Sequence, residues 1–443
     1  MKFLIDKQTI NDLDIFDRTK GEKSVISLFK HTISKGGEEK LKDFFNYPIN
    51  DITTLKKRVE IIKFFELNTN FIEIDRIQLD LVEFYLVQDK KPTRLSVPDI
   101  VRKSIDSWIK PSNKSYIISR GTHYLVDILN NLYEFAIGID INNSPKQLLH
   151  YRAEIINAVS NSDLKFALSV KNRKLGFIEK GKLDYYFRYS HLGIIKSLLD
   201  IIYEIDVYRS VSLTTQKYGF TYPTYVSESV CVEIKGLFHP FLEKPTSNDF
   251  SLDQDKNLAF ITGPNSAGKS TYLKSLGIAV FLAHIGFPVP AKGMKTFVFN
   301  GMLSSINLSD NLGKGYSHFY SEVLRVKQAA EQINRIKNTV IIFDELFRGT
   351  NVKDAFEATT SVIDAFSKNK TSLFAISTHI IEAAEKLTDN KSIDFLHFEI
   401  TINNREPEYT YTLKNGITNE RIGMYILEKE KVIETIEQSI SSN

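Results

Sequence analysis

The stretch Gly263 to Thr271, "GPNSAGKST", carries two glycines, a lysine and three hydroxyl residues, and it fits the spacing G-x-x-x-x-G-K-[ST]. That combination suits a polyphosphate. Glycines let successive backbone N–H groups curl round phosphate oxygens, and a helix starting at the lysine turns its positive end toward them. In this reading Lys269 reaches the β- and γ-phosphates of a nucleotide and Ser270 holds Mg²⁺. Gly263, Pro264, Asn265, Ser266, Ala267, Gly268 and Thr271 supply the rest of the cradle. The flanking sequence fits, because Asn257 to Thr262, "NLAFIT", reads as a buried strand and "TYLKSLGIAVFLAH" as a helix.

A phosphate loop needs an acidic partner to complete a metal site, and "TVIIFDEL" offers one. Val340 to Phe343 read as a buried strand that delivers Asp344 and Glu345 to the carboxyl edge of a sheet, where ligands bind in such folds. Side chains alternate along a strand, so the two carboxylates are expected to point apart and to do different work. Asp344 is the candidate for Mg²⁺, directly or through water. Glu345 is the candidate general base that orients the attacking water. A third apolar run, "SLFAISTH", leaves His379 just past a strand end, where it could sense the γ-phosphate.

The elements that must position these residues fall into two textures. From the start to about Gln216 the spacing is helical: Ile52, Leu55, Val59 and Ile62 form one stripe, and Ile194, Leu198, Ile201, Ile205 and Tyr208 another. Turn-forming clusters such as "KKPTR" and "NNSPK" separate the helices. Past "YGFTYPTY" short apolar runs alternate with segments long enough for helices, the pattern of a parallel sheet. The expected organisation is an all-helical domain over 1–217 and an α/β sheet domain over 218–443. No apolar run reaches the length of a membrane span, and the first twenty residues lack a secretory signal, which predicts a cytoplasmic protein. The one cysteine, Cys231, excludes an intramolecular disulfide and reads as a small buried hydrophobe. A net charge of +3 across 443 residues argues neither for nor against nucleic acid, because a footprint needs basic residues gathered on one face.

Taken in order, "GPNSAGKSTYLK", "FDELFRGTN" and "STH" resemble the ATPase domain of the MutS family of DNA mismatch-repair proteins, relatives of the ABC ATPases. "GLFHPF", with His239 and Pro240, resembles the family's His-Pro element, and "SDNLGKGYSHFYSEV" its signature segment, with Ser317, Phe319 and Glu322 in matching places. Tyr411 falls where the family carries a ring that stacks on adenine, and Phe250 is assigned to a second face of that pocket. The helical half resembles the family's core and lever domain. The resemblance implies an α/β P-loop ATPase domain, ABC-like with a mostly parallel sheet, preceded by an all-helical core/lever domain. It further implies ATP and Mg²⁺ as ligands and a homodimer in which each signature segment, through Ser317, completes the partner's site. This sequence departs from the pattern at Lys314 and His318, and it shows no counterpart of the mismatch-reading domain, the connector or a full DNA-gripping clamp.

Two functions stay open at this point. One is a dimeric ATPase of DNA repair or recombination that binds DNA without mismatch specificity, with "KNRK", Lys171 to Lys174, touching phosphates. The other is a nucleotide-gated protein scaffold that never touches DNA. Membership of the long coiled-coil repair ATPases is a poor fit, because the chain has neither sustained heptads nor a Leu-Ser-Gly-Gly signature.

Overall fold

The computed structural model describes residues 2–19, 22–68, 72–88, 113–160, 163–171, 173–264, 266–306, 318–347, 349–403, 406–417 and 431–441. The chain forms two compact units. One comprises Met1–Ser27, Tyr47–Leu55 and Tyr218–Asn443, and the other Leu28–Asn46 and Lys56–Lys217.

The first unit is built on β1 (Leu4–Ile5), β2 (Pro223–Val226), β3 (Val232–Leu237), β4 (Asn248–Leu252), β5 (Leu258–Thr262), β6 (Gly293–Phe297), β7 (Gly301–Ser305), β8 (Thr339–Phe343), β9 (Leu373–Ser377), β10 (Ile393–Asn403) and β11 (Glu406–Asn415). Seven of these form one sheet in the order β1-β7-β8-β9-β5-β10-β11. All neighbours in it are parallel except β10 and β11. A second sheet has the order β2-β6-β3-β4.

β5, β7, β8 and β9 are buried at every position, as strands covered on both faces must be. Alternation assigns their side chains. Ile341 and Phe343 of β8 join Phe260, Phe374, Ile363 and Phe366 in one cluster, where the ring of Phe366 stacks on that of Phe374 at 4.7 Å. Ile342 points the other way, toward the helix Lys269–Ala283, where a Cβ on Gly277 would come within 3.4 Å of it. That helix is apolar nearly all round because protein surrounds it.

The first residues of the chain belong with this sheet. β1 pairs with Gly301 and Met302 of β7, the helix Lys7–Asp12 follows, and Leu13 is fully buried against Gly277. The expected helical domain over 1–217 is therefore corrected at its start: an edge-strand pairing and a buried leucine hold residues 1–27 in the sheet unit.

The second unit contains the helices Lys35–Asn46, Arg76–Leu86, Asn113–Gly138, Lys146–Ser160, Lys165–Ser169 and Phe177–Tyr185, with most of Ile52–Leu67 and Leu192–Tyr218. Asp75 starts one of them by accepting from the N–H groups of Ile77 and Gln78. Val59 and Ile62 of the first predicted stripe are buried, as are Leu198, Ile201, Ile205 and Tyr208 of the second. Among the described residues no helix is long and apolar enough to cross a membrane.

Candidate functional site

β5 ends at Thr262, and the chain turns through a loop whose backbone only glycine accepts easily: φ is 144° at Gly263 and 103° at Gly268. Ser266 also takes a positive φ, 68°. Gly268 caps the helix Lys269–Ala283, so free N–H groups and the positive helix end face the loop. A Cβ on Gly268 would lie 3.4 Å from the Tyr411 ring, which leaves little room for any larger residue. The Lys269 side chain folds back into its own loop, its Nζ donating to the carbonyls of Gly263 at 2.7 Å and Pro264 at 2.9 Å. It also lies 3.7 Å from Glu345. Burial draws the lysine pKa down, against the pull of Glu345 and Asp344.

Both acidic residues follow β8. The Asp344 N–H donates to Ser305 O at the end of β7, 2.9 Å away, and its carboxylate accepts from the hydroxyls of Ser270 and Ser377. Burial raises the Asp344 pKa; the two hydroxyls and Lys269 work against that rise and the Glu345 charge adds to it. The expectation that Asp344 and Glu345 point apart is corrected here. The strand stops at Phe343, and Glu345 has a left-handed backbone, φ 53°, so the pleat no longer governs and both residues line one cavity. The Glu345 N–H is fixed on the carbonyl and hydroxyl of Ser377 at 3.0 and 3.1 Å. A non-glycine residue held in this region by neighbouring strands is a feature of functional sites.

The cavity has a volume of about 680 Å³, enough for a nucleotide. Ser266, Gly268, Lys269, Ser270, Thr271, Asp344 and Glu345 line it on one side. Tyr411 lines it too; the ring is half exposed and its carbonyl is held by the Asn248 side chain at 2.9 Å. The turn between β3 and β4 closes the cavity with Phe238, His239, Leu242, Lys244 and Thr246. Of these, sequence reading singled out only His239. An apolar Leu242 inside the turn-rich "FLEKPTSND" was the signal available for the others. Burial lowers the His239 pKa to about 4, helped by the charge of Lys274, so the ring is neutral near pH 7.

Two of the assigned residues are not among those that line the cavity. Phe250 does not line the cavity: β4 alternates, and Phe250 is buried with its ring against Tyr272 at 6.3 Å. His379 stands at an exposed position after β9 and is not brought into the cavity. Gly263, Pro264 and Ala267 shape the loop without lining the cavity. Asn265 and Ser317 lie outside the described residues, and so do Lys314 and Arg348.

Ser270 and Asp344 form a hydroxyl and carboxylate pair in contact, a donor set that suits a hard cation. Among the described residues no cluster of three or more His, Cys, Asp or Glu side chains could hold a metal unaided.

A mostly parallel α/β sheet with a glycine loop and a buried lysine at one strand end, and an acidic pair at another, defines a class of protein with a site suited to an anionic ligand at the carboxyl edge of its sheet. Residues 259–441 match the family described as MutS domain V. The DNA mismatch repair protein MutS of Lactococcus lactis subsp. cremoris (strain SK11) is 30% identical over 244 residues, which make up 53% of this chain and 29% of that protein. Its counterpart in Listeria innocua serovar 6a is 28% identical over 240 residues, covering 53% of this chain and 28% of that protein. For the protein of the same name from Lysinibacillus sphaericus the identity is 29% over 250 residues, 55% of this chain and 29% of the relative. The chain thus spans under a third of the length of the curated relatives it matches. Through this half the chain is similar to the MutS proteins.

Proposed function

We propose that the protein is a Mg²⁺-dependent P-loop ATPase, working as a homodimer through its sheet unit and coupling ATP binding and hydrolysis to movement of its helical lever. One observation carries the reading: Lys269, Ser270, Asp344 and Glu345 meet at the start of one helix, around a cavity walled by the Tyr411 ring. Lys269 exchanges its loop carbonyls for phosphate oxygens. Ser270 and Asp344 hold Mg²⁺, which when bound spreads the charge developing on the phosphates. Glu345, fixed through its N–H on Ser377, orients the attacking water and takes its proton. Tyr411 stacks on the adenine, and Ser317 reaches the partner's site in trans.

The relatives' names speak of DNA mismatch repair, and the setting proposed for this chain is DNA repair or recombination in the cytoplasm. A cavity of about 750 Å³ in the helical unit, lined by Arg120, Lys171, Arg173, Lys174 and Lys180, supports contacts to DNA phosphates that read no sequence. The competing scaffold function would retain nucleotide turnover and lack DNA binding.

ATP turnover and nucleotide affinity test the chemistry together. Glu345→Gln is expected to keep ATP affinity and lose about 10²- to 10⁴-fold in kcat, because it removes a base and not a phosphate ligand. Lys269→Ala is expected to lose affinity first. Equal turnover of wild type and Glu345→Gln would refute the assignment. Light scattering with saturating ATP on Glu345→Gln tests the dimer, and an unchanged monomer mass argues against it.

A further inference from the structure

Asp12 lies in the short helix Lys7–Asp12, far from the phosphate loop in sequence, and it is 2% exposed. Its carboxylate accepts from the Ser304 hydroxyl at 2.7 Å and from the Ile306 N–H at 3.0 Å, gripping the end of β7 on both sides of Ser305. Ser305 O is the acceptor for the Asp344 N–H, 2.9 Å away. A second set of bonds steadies the same strand end. Thr9 Oγ1 accepts from the Ser304 N–H at 2.8 Å, and Arg325, 3% exposed at its side chain, donates its Nε to Ser304 O at 3.0 Å while pairing with Asp6. Ile306 itself lines the cavity.

We propose that Asp12 is a positioning residue for Asp344: by clamping Ser304 and Ile306 it fixes the Ser305 carbonyl that sets the Asp344 backbone, and so aims the carboxylate that takes the metal. The inference rests on the Mg²⁺–ATP reading and extends it to a segment that contributes no atom to the loop. A carboxylate suits this place because one Oδ2 atom accepts from a hydroxyl and an amide at once. Alanine leaves both donors without that acceptor. Asparagine keeps an oxygen in the place of Oδ2 that can accept from both donors, but it loses the charge that strengthens those bonds.

The test counts Mn²⁺ bound in the presence of ATP by electron paramagnetic resonance, and measures binding of a fluorescent ATP analogue in EDTA, for wild type, Asp12→Ala and Asp12→Asn. Asp12→Ala is expected to weaken Mn²⁺ binding about 10-fold or more, as loss of a supporting hydrogen bond behind a metal ligand does, with Asp12→Asn between it and wild type. Binding of the analogue without metal stays within about twofold of wild type, since the Lys269 loop is untouched. If Asp12→Ala does not fold, Ser304→Ala removes one of the two donors and is expected to shift Mn²⁺ binding in the same direction. Wild-type Mn²⁺ affinity in folded Asp12→Ala overturns the proposal, as does an equal loss of metal-dependent and metal-free binding, which marks general damage. Failure of wild type to bind Mn²⁺ with ATP refutes the underlying ATPase reading instead.

Discussion

Two regions bury charge, the Arg188–Asp184 pair of the helical unit and the cavity of the sheet unit, and they treat it in opposite ways. In the helical unit Arg188 meets Asp184 through two hydrogen bonds, at 2.6 and 2.8 Å, with both side chains 4% exposed, and Tyr85 donates to the same carboxylate at 2.9 Å. Asp206, fully buried, accepts from the N–H groups of Ile33 and Ser34 and from the Ser34 hydroxyl. These groups are matched donor to acceptor. In the sheet unit two carboxylates stand side by side with one lysine, and burial drives Lys269 and Asp344 toward their neutral forms. Charge that is complete within the fold calls for no ligand of its own. Charge held beside a cavity in an arrangement that an anion and a cation would relieve points to a ligand.

The sharpest way to break that comparison is to remove one charge from each unit. Asp184→Ala strands Arg188 inside the helical unit and is expected to cost about 3–5 kcal/mol of stability, read from urea unfolding. Glu345→Gln, made for the turnover test, is expected to leave the unfolding midpoint within about 0.5 kcal/mol of wild type, because the fold does not depend on its charge. Comparable destabilisation by both would erase the distinction between structural and functional burial.

A smaller effect comes from His284, which is fully buried in the sheet unit. Its Nδ1 lies 2.7 Å from Val280 O, and its Nε2 accepts from the Phe299 N–H at 2.9 Å, an arrangement that holds only for the neutral ring with its proton on Nδ1. Burial lowers its pKa from 6.5 to about 4. The folded pKa lies below the unfolded one, so the unfolded chain takes up the proton first, and stability falls as pH drops from about 6.5 toward 4. At about 1.4 kcal/mol per pH unit the loss at the acid end is on the order of 3 kcal/mol. His239, also lowered to about 4, adds in the same direction. Asp344 opposes them, because its raised pKa makes the folded protein take up a proton before the unfolded chain does. Urea midpoints between pH 7 and 4 should decline for wild type and flatten in His284→Phe. An equal slope in both would show that other groups dominate.

How far the sequence displays this contrast depends on distance along the chain. The phosphate-type loop and the ends of β8 and β9 were legible because each is a local pattern: an apolar run, then glycines or acids at fixed spacing. The left-handed turn at Glu345 was not, since it is set by Ser377, which belongs to another strand. The face that Phe250 takes was not legible for a related reason: alternation along β4 decides it, and the register of β4 on β3 is a tertiary fact. The clamp of Asp12 on Ser304 and Ile306 joins residues nearly three hundred positions apart, and no periodicity in either segment announces it. The division of the chain shifted in the same way, because a strand of two residues, β1, attaches the first residues to the sheet.

The smallest effect concerns the charges left over in the helical unit. Around its cavity of about 750 Å³, Lys171 pairs with Glu134 and Arg173 with Glu179, and the Asp75 carboxylate is engaged in capping its helix. Lys180 donates to the Ser119 hydroxyl at 2.9 Å, and both burial and the charge of Lys174 lower its pKa. Two cations held close together in a concavity resemble the ligand cavity of the sheet unit more than the Asp184 pair, and a phosphodiester would relieve their repulsion. Glu73 and Asp127 line the same cavity and oppose anion binding, so the affinity should be weak. Affinity for duplex DNA should fall steeply with salt, and Lys174→Glu with Lys180→Glu should reduce the slope of log affinity against log salt by about 1 for each phosphate that the variant no longer neutralises. Matched and mismatched duplexes should behave alike, since bonds to phosphates carry no sequence information. Anisotropy across a salt series separates the outcomes. An unchanged slope in the double variant would return these lysines to the solvated surface, absence of binding at physiological salt would favour the scaffold function, and a mismatch preference above about tenfold, or 1.4 kcal/mol, would require a base-reading element in this chain.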